Sequence, residues 1–129
     1  DITAFTTNFL PQDKPRYLMG VGLPENFEPA ITAGIDMFDC VAPTRLARHG
    51  NFFTQEGRKN IRNACFTDDT GPLDSNCSCT VCEHYSRGYL RHLSVVSEAL
   101  GATLLSLHNI AYVFKLIDKI KYGIRSGTL

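Results

Sequence analysis

Apolar and polar residues fall into short blocks that predict alternating strands and helices. Arg16-Tyr17-Leu18-Met19-Gly20-Val21-Gly22 is a short apolar run ending in glycines, as expected of a buried strand. Leu23-Pro24-Glu25-Asn26 opens a helix, with proline in its first turn and acidic residues suited to its positive end. Phe27, Ala30 and Ile31 supply that helix's apolar face, and Gly34 stops it. A second strand follows over Ile35 to Val41. Farther on, Asn51-Phe52-Phe53-Thr54 and Asn60-Ile61-Arg62-Asn63 read as a hairpin turning at Gln55–Arg58. A helix is expected over Glu83–Val95. A longer one is expected from Leu100 to Ser126, with an apolar stripe at 100, 104, 107, 111, 114 and 117. Residues 1–15 read as the end of a preceding element plus the turn-rich connector Pro11–Pro15. Met19, Tyr112 and Phe114 are expected in the core.

The strand–helix–strand block spans residues 16–41 and implies parallel pairing through a right-handed crossover. Two parallel strands do not make a stable sheet alone. The remaining strands must come from another chain or from a larger α/β protein. In such sheets, catalytic side chains sit at the carboxyl ends of strands. Asp39 lies near the end of the second strand, among Met37, Phe38, Cys40 and Val41. A carboxylate there costs free energy unless it has a partner or a chemical role. The alternative role is structural, capping the following turn.

The chain has 129 residues, 43% apolar, which is one ordinary domain by length. No unbroken run of about 18 apolar residues occurs, so no membrane-spanning helix is expected. Asp1-Ile2-Thr3-Ala4-Phe5 lacks the basic, then apolar, start of a signal peptide. Thirteen cations balance thirteen anions, which argues against a nucleic-acid partner until the charge is mapped. Residues 1–43 carry two cations and six anions, a net −4, and residues 44–129 carry eleven and seven, a net +4. The basic stretch Thr44–Asn63 holds Arg45, Arg48, Arg58, Lys59 and Arg62 against Glu56 alone. Such a bias can bind phosphates in a neutral chain, or it can be a solvated basic loop.

Five cysteines and no signal peptide disfavour a secreted disulfide framework. Cys77, Cys79 and Cys82 form a C-x-C-x-x-C cluster, from which three thiolates can converge on one tetrahedral zinc with Zn–S bonds of about 2.3 Å. The fourth ligand is one of Cys65, His84, His92 or His108. His84 follows Cys82 too closely and His92 sits on a helix leading away. Cys65 precedes the acidic turn Asp68–Pro72. His108 is favoured, since its segment can return to the loop. The competing readings are redox-active thiols and a core histidine bonded to backbone.

Tyr17-Leu18-Met19-Gly20-Val21-Gly22, Asp36-Met37-Phe38-Asp39-Cys40-Val41, Pro43-Thr44-Arg45 and the C-x-C-x-x-C…His108-Asn109 series together resemble the tRNA-guanine transglycosylase family, in order and spacing, over the whole chain. Asn60–Ala64 is closer to the bacterial branch. The resemblance implies an α/β fold, the C-terminal part of a (β/α)8 barrel with an appended zinc subdomain. Residues 1–43 would hold the last two barrel strands and their helix. Residues 44–129 would hold the anticodon-recognition segment, the zinc subdomain and the C-terminal helices. It implies a cytoplasmic, homodimeric enzyme that exchanges wobble guanine in tRNAs with GUN anticodons for the 7-deazaguanine base preQ1, in queuosine biosynthesis.

Residue by residue, the resemblance makes Asp39 the nucleophile and puts Met19 and Gly20 against the base. It puts Gly20, Val21, Gly22, Leu23, Pro24, Glu25 and Asn26 in an RNA-contacting loop. Thr44, Arg45, Leu46, Ala47 and Arg48 would read bases around the wobble position. Cys77, Cys79, Cys82 and His108 match the zinc ligands. Leu23 replaces a lysine of some relatives, and Leu46 replaces a smaller or polar residue. The family's second catalytic aspartate and its base-recognition residues lie upstream of the matched region, so the chain is expected to be catalytically incomplete. The alternative function is a non-catalytic zinc module that binds RNA or a protein partner.

Overall fold

The structure, a computed structural model, describes residues 2–129. In chain order its elements are α1 (Ile2–Thr7), β1 (Tyr17–Met19), α2 (Pro24–Thr32), β2 (Met37–Asp39), α3 (Ala42–Arg48), β3 (Asn51–Thr54), β4 (Gly57–Asn60), a 3₁₀ turn (Ala64–Phe66), α4 (Thr80–His84), α5 (Arg87–Val95) and α6 (Ala99–Ser126). The fold is mixed α/β. The chain divides into two compact units, one running up to Ala42 and including Leu116–Leu129, the other Pro43–Lys115.

In the first unit, β1 and β2 pair in parallel, with Tyr17 opposite Met37, Leu18 opposite Phe38 and Met19 opposite Asp39. Both strands are shorter than the sequence predicted, three residues each. The chain on either side is held by other bonds. The Arg16 amide donates to Asp36 Oδ2 at 2.8 Å, and the Arg16 guanidinium donates to the Leu10, Pro11 and Gly34 carbonyls. Helix α2 begins at Pro24 as expected and buries Phe27 and Ala30. Phe27 meets Phe38 edge to face, with centroids 5.0 Å apart, a favoured aromatic geometry. Met19 is not a core residue: it is 72% exposed. Asp39 is also exposed in this chain, with the Tyr17 hydroxyl as its side-chain partner.

The second unit is built on a core of Ala47, Phe52, Ile61, Phe66, Leu73, Val81, Leu90, Leu93, Leu104 and Leu105. Each buried leucine or phenylalanine there contributes about 1.5–3 kcal/mol. The hairpin turns earlier than predicted, with Thr54 opposite Gly57 and only Gln55 and Glu56 between. Gly57 has φ +104, a conformation that costs a side chain strain, so the tight turn forms at the glycine. Asn60–Asn63 is therefore a strand end and a turn, where the Asn60 side chain accepts from the Arg62 amide. The expected helix over Glu83–Val95 is two helices, α4 and α5. Ser86 breaks it by capping α5, its hydroxyl accepting from the Tyr89 amide at 3.2 Å. Residues 44–48 are not a basic loop but most of helix α3.

Helix α6 runs as predicted, but its buried face differs from the apolar stripe. Leu100, Leu107 and Phe114 are exposed, whereas Leu104, Leu105, His108 and Asn109 are buried. Of the expected stripe Leu104 alone is buried, and the polar His108 and Asn109 are as buried as Leu105, so apolar periodicity does not mark the buried face. Tyr112 is half-buried and donates its hydroxyl to the Thr54 carbonyl at 3.1 Å. By length and composition α6 is apolar enough to cross a membrane, which the lack of an unbroken apolar run did not anticipate.

Candidate functional site

The cysteine loop is shaped before any metal is considered. Asp74, 5% exposed, accepts from the Asn76 amide through Oδ1 at 2.8 Å and from the Gln55 amide through Oδ2 at 3.1 Å. Its carbonyl accepts from the Cys77 amide at 3.1 Å. Arg87 donates to Asp69 Oδ2 at 3.0 Å and to the Leu73 carbonyl, tying the segment before the loop to the start of α5. Cys79 is the extended residue that precedes α4, and Cys82 lies within α4.

His108 comes to these thiols from α6. Its Nε2 donates to the Phe53 carbonyl at 2.8 Å, which leaves the Nδ1 lone pair facing sulfur, 3.5 Å from Cys79 Sγ and 3.4 Å from Cys82 Sγ. A backbone partner on one ring nitrogen, orienting the other toward the metal, is the usual arrangement of a ligating histidine. The donor atoms of Cys77, Cys79, Cys82 and His108 all lie within 4.8 Å of one another. A tetrahedron with bonds of about 2.3 Å has sulfur–sulfur edges of about 3.8 Å, so the four fit one ion. The group could hold a metal ion, and its soft donor set suits zinc.

Of the four candidates for the fourth ligand, the structure brings only His108 to the thiols. Cys65 is exposed in the 3₁₀ turn. His84 Nδ1 bonds back to the Thr80 carbonyl at 2.9 Å, and His92 is exposed on α5. Burial pushes the Cys82 thiol up to about 12 and also raises Cys77, while burial lowers the His108 imidazole toward its neutral, ligating form. The convergence of a buried imidazole on all three thiols favours a metal group over a dithiol redox centre.

The other expected residues lie on β1, β2, α2, α3 and the loop before α2, with Asp39 ending β2. Asp39 Oδ2 accepts from the Tyr17 hydroxyl at 2.9 Å, and the Asp39 carbonyl accepts from the Gly20 amide at 2.7 Å. That hydrogen bond, followed by burial and the carboxylate charge, raises the Tyr17 phenol above its usual value. Met19 is the register partner of Asp39. Gly20–Leu23 form the loop that leads into α2, and Pro24, Glu25 and Asn26 form the first turn of that helix. On α3, Ala47 is packed in the core at 1% exposure, while Arg45 and Arg48 point outward.

The family model for queuine tRNA-ribosyltransferase matches residues 1–129. The chain belongs to the queuine tRNA-ribosyltransferase family. Curated relatives of that name agree. The protein of Dictyoglomus turgidum is 48% identical over 129 residues, all of this chain and 33% of the relative. That of Caldanaerobacter subterraneus subsp. tengcongensis is 50% identical over the same span, 34% of the relative. That of Shewanella sediminis is 53% identical over 120 residues, 93% of this chain and 32% of the relative. The chain thus spans about a third of the length of the queuine tRNA-ribosyltransferases it matches.

Two residues that shape the site went unassigned in the sequence. Asp74 carries a readable signal, because Asp74-Ser75-Asn76 is a side-chain-capped turn directly before the first cysteine. Asn109 is fully buried; it accepts from the Phe53 amide and donates to the Pro43 and Asn51 carbonyls. Its signal is a polar residue beside His108 in an otherwise apolar stretch.

Proposed function

We propose that this chain is the C-terminal part of a tRNA-guanine transglycosylase, carrying its nucleophile and its structural zinc centre. Residues 1–43 supply the last two strands of a (β/α)8 barrel and their helix. Residues 44–129 supply the anticodon-recognition segment, the zinc subdomain and the C-terminal helices. The observation that carries the reading is the family match along the whole chain, taken with an exposed carboxylate at the carboxyl end of β2.

In the reaction, Asp39 attacks C1′ of the wobble ribose. A carboxylate–C1′ ester bond forms, and the glycosidic bond breaks with its electron pair leaving on guanine. A ring nitrogen of preQ1 then attacks C1′, releases the Asp39 carboxylate and gives up its proton to a base. One displacement in each half retains the anomeric configuration. The reacting nucleotide must leave the anticodon stack for C1′ to be reached. Met19, exposed and register-paired with Asp39, suits a role against one face of the base. Gly20–Asn26 and Thr44–Arg48 contact the RNA, with Arg45 and Arg48 offering planar donor forks. Zinc, when bound by Cys77, Cys79, Cys82 and His108, supplies a structural crosslink. The enzyme works in the cytoplasm as a homodimer.

Asp39→Ala in the full-length enzyme is the decisive variant. It should bind tRNA with near-normal affinity but neither exchange labelled guanine nor form a denaturation-resistant enzyme–RNA adduct. Continued exchange by this variant would overturn the assignment of the nucleophile.

A further inference from the structure

A cleft of about 280 Å³ opens in the second unit, apart from the metal group. Arg48, the last residue of α3, and Arg62, just past β4, form one side. The hairpin holds the two together: the Ile61 amide donates to the Gly50 carbonyl at 2.8 Å, and the Asn60 side chain donates to the His49 carbonyl at 3.2 Å. Gly50 has φ +80, and a Cβ there would lie 3.4 Å from Arg62 Cγ, so the bare backbone lets the arginine stem lie along the turn. Ser94, Ser97 and the start of α6 form the other side.

Among the described residues, neither guanidinium has an ion-pair or hydrogen-bond partner. Ser94 lines the cleft and is 6% exposed, and its hydroxyl also has no hydrogen-bond partner among the described residues. Glu98 is the one carboxylate in the lining, so two cations face one anion. The positive end of a 28-residue helix adds to the field. Two unengaged donor forks, the unpartnered Ser94 hydroxyl and a helix start in one concavity suit a phosphate oxyanion. The arginines are exposed and continue a basic stretch with Arg45, Arg58 and Lys59, which suits a polyanion running past rather than an enclosed small ion.

We propose that this cleft seats one phosphodiester of the tRNA backbone, with Arg62 as its principal contact. The inference rests on the tRNA reading above, in which Arg48 already contacts the RNA, and adds Arg62 as a sequence-independent anchor that the family resemblance did not assign. A phosphate contact weakens binding alike for all sequences when removed, and it removes its share of the salt dependence.

The test uses full-length protein, with tRNA binding measured between about 50 and 200 mM salt. One tRNA has a natural GUN anticodon and a second has its anticodon bases replaced. Arg62→Gln should flatten the log Kd against log salt slope by roughly 0.7–0.9 and weaken both tRNAs by the same factor. Ser97→Asp should do the same. Ser97 has φ 61, which aspartate tolerates, and the change sets a carboxylate in the cleft. Arg62→Lys should recover part of the loss. If wild type binds tRNA and neither Arg62→Gln nor Ser97→Asp changes the slope, the cleft proposal is overturned and the tRNA reading stands. If wild type binds no tRNA, that reading falls and takes the cleft with it. An unchanged slope with loss of inorganic phosphate binding in Arg62→Gln, read from the phosphorus resonance, makes this a free-phosphate site and also overturns the proposal.

Discussion

Tyr17 donates its hydroxyl to Asp39 Oδ2 at 2.9 Å, a diagonal contact across the parallel strands, since the register partner of Asp39 is Met19. The bond engages one oxygen of the carboxylate that is proposed as the nucleophile. Tyr17→Phe should lower kcat about ten- to hundredfold, the effect of one hydrogen bond to a charged group, with little change in KM for tRNA. Conversely, Asp39→Ala should lower the Tyr17 titration toward that of an ordinary phenol, because its upward shift comes first from this bond. Ring-labelled tyrosine NMR would read the second effect. An unmoved Tyr17 titration would show that the pair does not form in solution.

His108 is fully buried and oriented by the Phe53 carbonyl, so the metal group ties α6 to the hairpin as well as to the cysteine loop. Purified protein should carry about one zinc per chain, and a strong chelator should lower the melting temperature of the second unit. His108→Ala should lose the metal and destabilise that unit by several kcal/mol, beyond the roughly 3 kcal/mol of a core cavity alone. Metal analysis and thermal unfolding, each with and without chelator, check both parts. A His108→Ala protein that retains zinc and its melting temperature would place the fourth ligand elsewhere.

Where local rules dominate, the sequence predicted the structure. Pro24 starts α2, the β1 and β2 segments pair in parallel, and the C-x-C-x-x-C spacing gathers with His108. It misled where a single residue overrode a pattern. Ser86 caps a new helix inside an apparently continuous one, and Gly57 draws the hairpin turn two residues early. It also misled where polar residues are buried for their hydrogen bonds. His108 and Asn109 turn α6 so that its most apolar stripe is not its buried face. At Asp39 the reading that such a carboxylate needs a partner or a role is met by the Tyr17 hydroxyl, a partner that apolar periodicity did not name.

Asp69 and Arg87 form the pair that secures the segment ahead of the cysteine loop. The Arg87 hydrogen bond, then the Gly71 amide, hold the Asp69 carboxyl below its usual value. A carboxyl lowered in the folded state contributes stability above its unfolded value of about 3.9 and loses it as pH falls through the folded value. Asp69→Asn should therefore be less stable than wild type by of order 1 kcal/mol at pH 6–7, and the gap should close below about pH 4. Urea unfolding of both proteins across that range checks the sign. A gap that widened in acid would contradict the assigned direction.

Asn109 joins α6, next to His108, to the start of α3. Its Oδ1 accepts from the Phe53 amide at 3.0 Å, and its Nδ2 donates to the Pro43 carbonyl at 3.0 Å and the Asn51 carbonyl at 3.1 Å. Phe53 is also the residue whose carbonyl orients His108, so both side chains of the His108-Asn109 pair grip one strand. Asn109→Leu has similar volume but strands a buried amide and two carbonyls, which should cost about 2–4 kcal/mol. Asn109→Asp keeps the acceptor for Phe53 but sets a carboxylate against the Pro43 and Asn51 carbonyls, so it should cost at least as much. Because Pro43 immediately precedes Thr44–Arg48, a partial loss of this clamp should loosen that helix before the unit unfolds. Amide exchange should quicken at Arg45–Arg48 in Asn109→Leu under conditions where the core amides of Phe52 and Leu105 stay protected. If exchange instead quickens uniformly across the unit, Asn109 stabilises the fold without specifically holding α3.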